Sequence, residues 1–205
     1  MYLTKTNKRA KQQKGLTLIE LAIVGLFLGL LALFAVNKFS SKVTVGTKSL
    51  GLYQAADQLA QAWGTATANC GISRDITASD FTADTASAAG NLSALLGTGA
   101  VNSDYAACFS SSGIKTLNGL AAGPQGNEAV YGYRVSASTP APDRIALTFT
   151  AVPEELILPL YNKYSSATGA ATATTLPAVA DTTDSTIRFS AATNGKRDLT
   201  IVRTL

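Results

Sequence analysis

Chemistry in this chain must come from a short inventory, because its 205 residues include no histidine and only two cysteines, Cys70 and Cys108. Without imidazole there is no Ser-His-Asp triad, no His-bearing zinc site and no histidine-ligated haem. Two thiolates are too few for a cysteine-only zinc site and enough for one disulfide. A serine nucleophile would then need a base such as lysine. Ser112-Gly113-Ile114-Lys115 has the Ser-x-x-Lys order, but those side chains meet only on a helix and this stretch reads as a loop. Glu154 and Glu155 are adjacent, so on a helix they diverge by about 100° and cannot share a substrate. Asp181 and Asp184 lie in a Thr-rich stretch where calcium is conceivable; as isolated loop acids they read as solvated. Lys163, in Tyr161-Asn162-Lys163-Tyr164, reads as a solvated helix face. Gly97-Thr98-Gly99 and Gly123-Pro124-Gln125-Gly126 match neither dinucleotide nor P-loop spacing. The Asn91-Leu92-Ser93 sequon carries little weight without a glycosylating host. These residues argue for no enzyme, no metal site and no cofactor.

One ionisable group is conspicuous by its surroundings. Glu20 is the single charge in the apolar run from Leu16 to Val36, LTLIELAIVGLFLGLLALFAV. At 1.5 Å per residue a helix over that run reaches about 31 Å, enough to cross a hydrocarbon core. The net charge of +4 is concentrated just before it, in Lys5, Lys8, Arg9, Lys11 and Lys14; the remainder of the chain holds one more acid than base. A basic block is a solvated tail or a nucleic-acid arm in other settings, but one leading directly into an apolar run reads as a targeting segment. Aromatic content of 7% and near-neutrality beyond the arm make no nucleic-acid groove. The run is longer than a secretory h-region, and Asn37-Lys38-Phe39 is a poor exit for signal cleavage, so the segment is expected to be retained. Basic residues before it place the N-terminus in the cytoplasm, and residues beyond about 40 outside the inner membrane. A disulfide persists there. Cys70 and Cys108 bracket a loop-rich stretch with little core of its own, and are expected to pair.

The elements that must position these residues follow from periodicity. No proline interrupts 37–67, and Leu52, Tyr53, Ala56, Leu59, Ala60 and Trp63 recur at helical spacing, with Gln54, Asp57, Gln58 and Gln61 mostly opposite. One helix is expected from Leu16 to about Thr67, although Gly46, Gly51 and Gly64 weaken it. Its first half protrudes as a stalk; its second half packs on a globular head, with Trp63 as a core anchor. Residues 68–128 are rich in Ala, Ser, Thr and Gly, with a short helix over Asn91–Leu96 and a loop over Gly113–Gly126. Ala129–Ala137 and Arg144–Ala151 read as strands joined by the turn residues of 139–143. A helix is expected from Pro153-Glu154 to Tyr164, with Pro159 inside it. Ser165–Ser185 reads as a loop. Thr186–Ser190 and Asp198–Thr204 alternate as strands, joined by a hairpin at Asn194-Gly195. The fold class is α+β: a long N-terminal helix laid on an antiparallel sheet of four or so strands.

The junction Lys14-Gly15-Leu16-Thr17-Leu18-Ile19-Glu20 resembles the type III signal of type IV pilins: a basic leader ending in Gly, an apolar residue, and Glu fifth in the apolar stretch. The resemblance implies cleavage between Gly15 and Leu16 by prepilin peptidase and methylation of the new amino group. It implies the type IV pilin fold, with a leader over 1–15, a filament-core stalk over 16–41 and a head over 42–205. It also implies partners: other copies of the chain in a helical homopolymer, inner-membrane lipid before assembly, and the inner-membrane assembly machinery. The final location is then an extracellular pilus. Glu20 is expected to pair with the amino group of Leu16 in a neighbouring subunit. The leader length and the Leu at the first mature position look more like type IVb than type IVa. Two departures are visible. The cysteines lie earlier than in many members, and the chain has no proline before Pro124, so Gly25 and Gly29 are the positions where the stalk would loosen. Alternative readings keep the signal in a minor pilin or a type II secretion pseudopilin, or discard it for a single-pass anchored binding protein.

Overall fold

The chain divides into two compact units, Met1–Val43 and Thr44–Leu205. The computed structural model describes residues 45–83, 87–111, 121–122 and 128–205, all in the second unit. The sequence-expected helix is described from 45 onward and runs to 70 as α1. It buries Leu52, Ala55, Ala56, Leu59, Ala60, Trp63 and Ala66, the three- and four-residue steps of one apolar stripe. Tyr53, expected within that stripe, lies half-buried at its margin. Gly71, with φ +67°, follows the last helical residue in the left-handed conformation that glycine adopts freely, so α1 ends about three residues beyond Thr67.

Two short helices follow. In α2 (Ala88–Leu96) the Ser87 hydroxyl accepts from the Gly90 N–H, and Gly97 at φ +75° closes the other end. The helix starts three residues before the expected Asn91, because Ser87 caps it. The second, α3 (Ser103–Ser111), was not anticipated from periodicity. Its signal is local: the Asn102 side chain accepts from the Asp104 N–H at 3.2 Å, and Asp104 adds an acid to the first turn.

Among the described residues six antiparallel strands form one sheet in the order β1-β2-β3-β4-β6-β5: β1 (Ala121–Ala122), β2 (Ala129–Val130), β3 (Tyr133–Ala141), β4 (Arg144–Pro153), β5 (Ile187–Phe189) and β6 (Lys196–Thr204). The count exceeds the expected four because β1 lies in the stretch expected as a loop, Gly113–Gly126, and because Ala129–Ala137 is not one strand. Tyr131 and Gly132, at φ +53° and +84°, fold it into a β2–β3 hairpin. A two-residue turn with both φ positive fits the twist of the flanking strands, although a tyrosine is an uncommon occupant of its first position. The β5–β6 connection uses the same geometry at Asn194-Gly195, as expected, with Thr193 bridged to Lys196. Pro140, expected in a turn, lies in β3 at a register shift between Ser138 and Ala141, where a residue without N–H is tolerated. A second shift, between Phe149 and Val152, lets Asp198 Oδ1 accept from the Ala151 N–H at 2.9 Å.

Two rungs cross the sheet and make its inner face: Ala137, Leu147, Ile201 and Ile187, and Val135, Phe149, Leu199 and Phe189. They join the α1 stripe and residues of α4 (Glu154–Tyr164) in one core. Trp63 is fully buried, donates from Nε1 to the Arg74 carbonyl at 3.0 Å and meets Phe81 edge-on at 5.7 Å. The helix α4 accommodates Pro159 on its exposed side. After it, 165–185 is irregular apart from one 3₁₀ turn at Ala170–Thr172 and an isolated bridge from Asp181 to Phe189, in agreement with the loop expected there.

Candidate functional site

Of the residues singled out by sequence, Gly15, Leu16 and Glu20 lie outside the described residues, together with the apolar run, Gly25, Gly29, Ser112, Lys115 and Gly123-Pro124-Gln125-Gly126. Among the described residues no helix is long and apolar enough to cross a membrane. What the structure presents is the apparatus that fastens α1 to the rest of the second unit.

The expected pairing of Cys70 with Cys108 is present, with Cα atoms 5.7 Å apart. It links the last residue of α1 to α3, and so closes a loop whose interior is held by Asn91. That side chain is fully buried. Its amide donates to the carbonyls of Ile76 and Ser79 at 2.8 and 2.7 Å, and its Oδ1 accepts from the Thr82 N–H at 2.9 Å. The sequon asparagine is therefore a core polar link with three partners, not an acceptor for sugar. Sequence reading missed Glu128 altogether. It is 1% exposed, and its Oε1 accepts from the hydroxyls of Ser93 and Thr98. No local pattern marks a glutamate as buried; its partners come from α2 and the loop after it.

At the other end of α1 the attachments are a hydroxyl and an aromatic stack. Ser49, nearly fully buried, donates to the Leu156 carbonyl of α4 at 2.8 Å. Tyr53 stacks on Tyr164 of α4 with centroids 3.7 Å apart and planes 12° from parallel. The Arg203 guanidinium of β6 covers the other face of Tyr53 at 3.8 Å and reaches Asp57 at 3.2 Å. Lys163, expected to be simply solvated, is exposed and also lies over the Tyr164 ring at 5.0 Å.

Asp184 corrects the expectation that the two loop acids are solvated. It is 6% exposed. Its Oδ1 accepts from the N–H groups of Thr186 and Ile187, and its Oδ2 from the Ser165 hydroxyl and both donors of Ser166. Burial by itself would raise its pKa, but donors from Ile187, Thr186, Ser165 and Ser166 outweigh it and bring the pKa down to about 2. Asp181, half-buried, accepts from the N–H groups of Thr183 and Asp184 at 3.1 Å. Both acids thus organise the loop. The paired Glu154 and Glu155 do diverge: Glu154 bonds Arg197 Nε at 2.6 Å, while Glu155 is exposed.

Among the described residues no group of three His, Cys, Asp or Glu side chains converges. One cleft, of about 300 Å³, is lined by Ala88, Ala89, Glu128, Arg134, Val135 and Thr150, with Glu128 already engaged by Ser93 and Thr98. The arrangement suits rigid attachment of a long helix to a sheet. No protein-family model, curated protein or solved structure matches the chain.

Proposed function

We propose that this chain is the structural subunit of a type IV pilus, made as a prepilin and polymerised through its apolar N-terminal helix. The observation that carries the reading is the Lys14-Gly15-Leu16-Thr17-Leu18-Ile19-Glu20 junction between a basic leader and the Leu16–Val36 run. An amphipathic α1, fastened to an antiparallel sheet and closed by one disulfide at its C-terminal end, supports it.

In this reading the chain is held in the inner membrane by residues 16–41 until prepilin peptidase cuts after Gly15. The assembly machinery then moves it from lipid into the filament, whose core is built of apolar helices and whose outer layer is built of heads. Glu20 is costly in an apolar layer unless paired, and the amino group created at Leu16 of a neighbouring subunit supplies the opposite charge. A subunit offset along the axis leaves both charges unpaired, so the pair sets register. Adhesion, motility, DNA uptake or secretion then belongs to the assembled filament. Mass measurement on the mature N-terminus tests the reading. A new, methylated N-terminus at Leu16 is expected; an intact Gly15-Leu16 bond in surface-expressed protein would overturn it.

A further inference from the structure

The segment between α4 and β5 divides its hydroxyls into two sets. Ser165 and Ser166 bond to Asp184, Thr172 donates to the Gly169 carbonyl, and Thr183 turns onto Asp181. Thr174 and Thr175 are exposed and, among the described residues, make no hydrogen bond. Their backbone is equally open. Among the described residues, 174–180 forms no backbone–backbone hydrogen bond, whereas Thr168, Thr182 and Ser185, also without a hydroxyl partner, sit in turns closed at Ala170 N–H to the Ala167 carbonyl, at Asp184 N–H to Asp181 Oδ1 and at Thr186 N–H to Asp184 Oδ1. The open segment is nevertheless held at fixed points. Leu176 is 8% exposed, Ala170 is 2% exposed, and Asn162 Nδ2 donates to the Ala173 carbonyl at 2.9 Å. Pro177 biases Leu176 toward extended backbone.

A modifying enzyme needs an acceptor hydroxyl that is not already bonded and a main chain it can grip. Thr174-Thr175 meets both conditions, in a Ser/Thr/Ala stretch with proline whose composition is that of O-glycosylated segments. We propose that Thr174 and Thr175 are O-glycosylation sites. The sugar donor is a glycosyl diphosphate. The threonine Oγ attacks the anomeric carbon, the bond from that carbon to the diphosphate oxygen breaks, and the diphosphate leaves with the electron pair. The hydroxyl proton passes to a base of the transferase. Asn91, the other nominal glycan position, is excluded by its full burial.

The inference rests on the reading that the head lies outside the cytoplasm, and peptide mapping of full-length protein from its own host tests the two separately. Trypsin releases Tyr164–Arg188 as one peptide. That peptide is expected to carry whole sugar residues, to lose them in the Thr174→Ala/Thr175→Ala double variant, and to keep them in Thr172→Ala. A peptide at its bare sequence mass, or one whose sugar survives the double substitution, overturns the assignment. The N-terminal peptide reports independently: Leu16 as its first residue with a bare loop peptide sinks only the glycan, and a glycosylated loop with Gly15-Leu16 intact sinks only the pilin reading.

Discussion

The phenol ring of Tyr131 rests on Gly51 so closely that a Cβ at Gly51 would stand 2.7 Å from a ring carbon. Glycine inside a helix costs about 1 kcal/mol relative to alanine, so this one is retained against local propensity. Gly51→Ala is expected to gain up to about 1 kcal/mol in a Tyr131→Ala background and clearly less with Tyr131 present, because the half-exposed ring must swing away. Urea unfolding of the four proteins measures the coupling. Equal gains in both backgrounds would contradict the contact.

Reduction of the Cys70–Cys108 bond, which spans 38 residues, is expected to cost roughly 3–4 kcal/mol on chain-entropy grounds. The Cys70→Ala/Cys108→Ala variant should show the same loss. Thiol labelling of denatured, unreduced protein checks the bond itself: two modified cysteines would refute it.

Asp184 makes stability acid-sensitive in a defined window. Its folded pKa is lowered, so the folded state binds its proton last and the contribution is complete above the unfolded value of roughly 4. It is lost as pH falls toward about 2, amounting to about 2 kcal/mol. Asp184→Asn, which keeps the shape but removes the charge, should be less stable at neutral pH and lose that acid dependence. An unchanged acid profile in the variant would show that the carboxylate contributes nothing.

A head beginning at Lys42 is expected to fold as a soluble monomer, since the α1 stripe is covered by its own sheet. In that fragment Trp63→Ala should cost about 3–5 kcal/mol, as it empties a fully buried site and removes the indole donor to the Arg74 carbonyl. Aggregation of the parent fragment under both oxidising and reducing conditions would count against the two-part architecture.

Glu20→Ala is expected to leave membrane insertion and processing after Gly15 intact while abolishing or greatly reducing filaments. Sheared surface fractions quantify the yield. Normal filaments from processed variant would remove Glu20 from the assembly step.

The sequence by itself determined the features that rest on local periodicity or on the two cysteines. The α1 stripe follows from apolar residues at three- and four-residue steps, the β5–β6 turn from Asn194-Gly195, and the disulfide from the count of two cysteines and the compartment expected for them. Tertiary structure decided whatever depends on partners distant in the chain. The alternation of Ala129–Ala137 continues through Tyr131-Gly132 without a visible break; the turn is set by pairing of β2 with β3 and by Gly51 of α1 receiving the ring. The burial of Glu128, which no local pattern marks, and of Asp184, expected to be solvated, depends on donors that lie up to 35 and 19 residues away. Likewise Arg203 stands on the inner face of β6, a place for an apolar residue by alternation, and is accommodated because Tyr53 and Asp57 of α1 supply a ring and a carboxylate there. Burial of polar groups is settled by the partner's position in space, and a one-dimensional pattern carries no record of that.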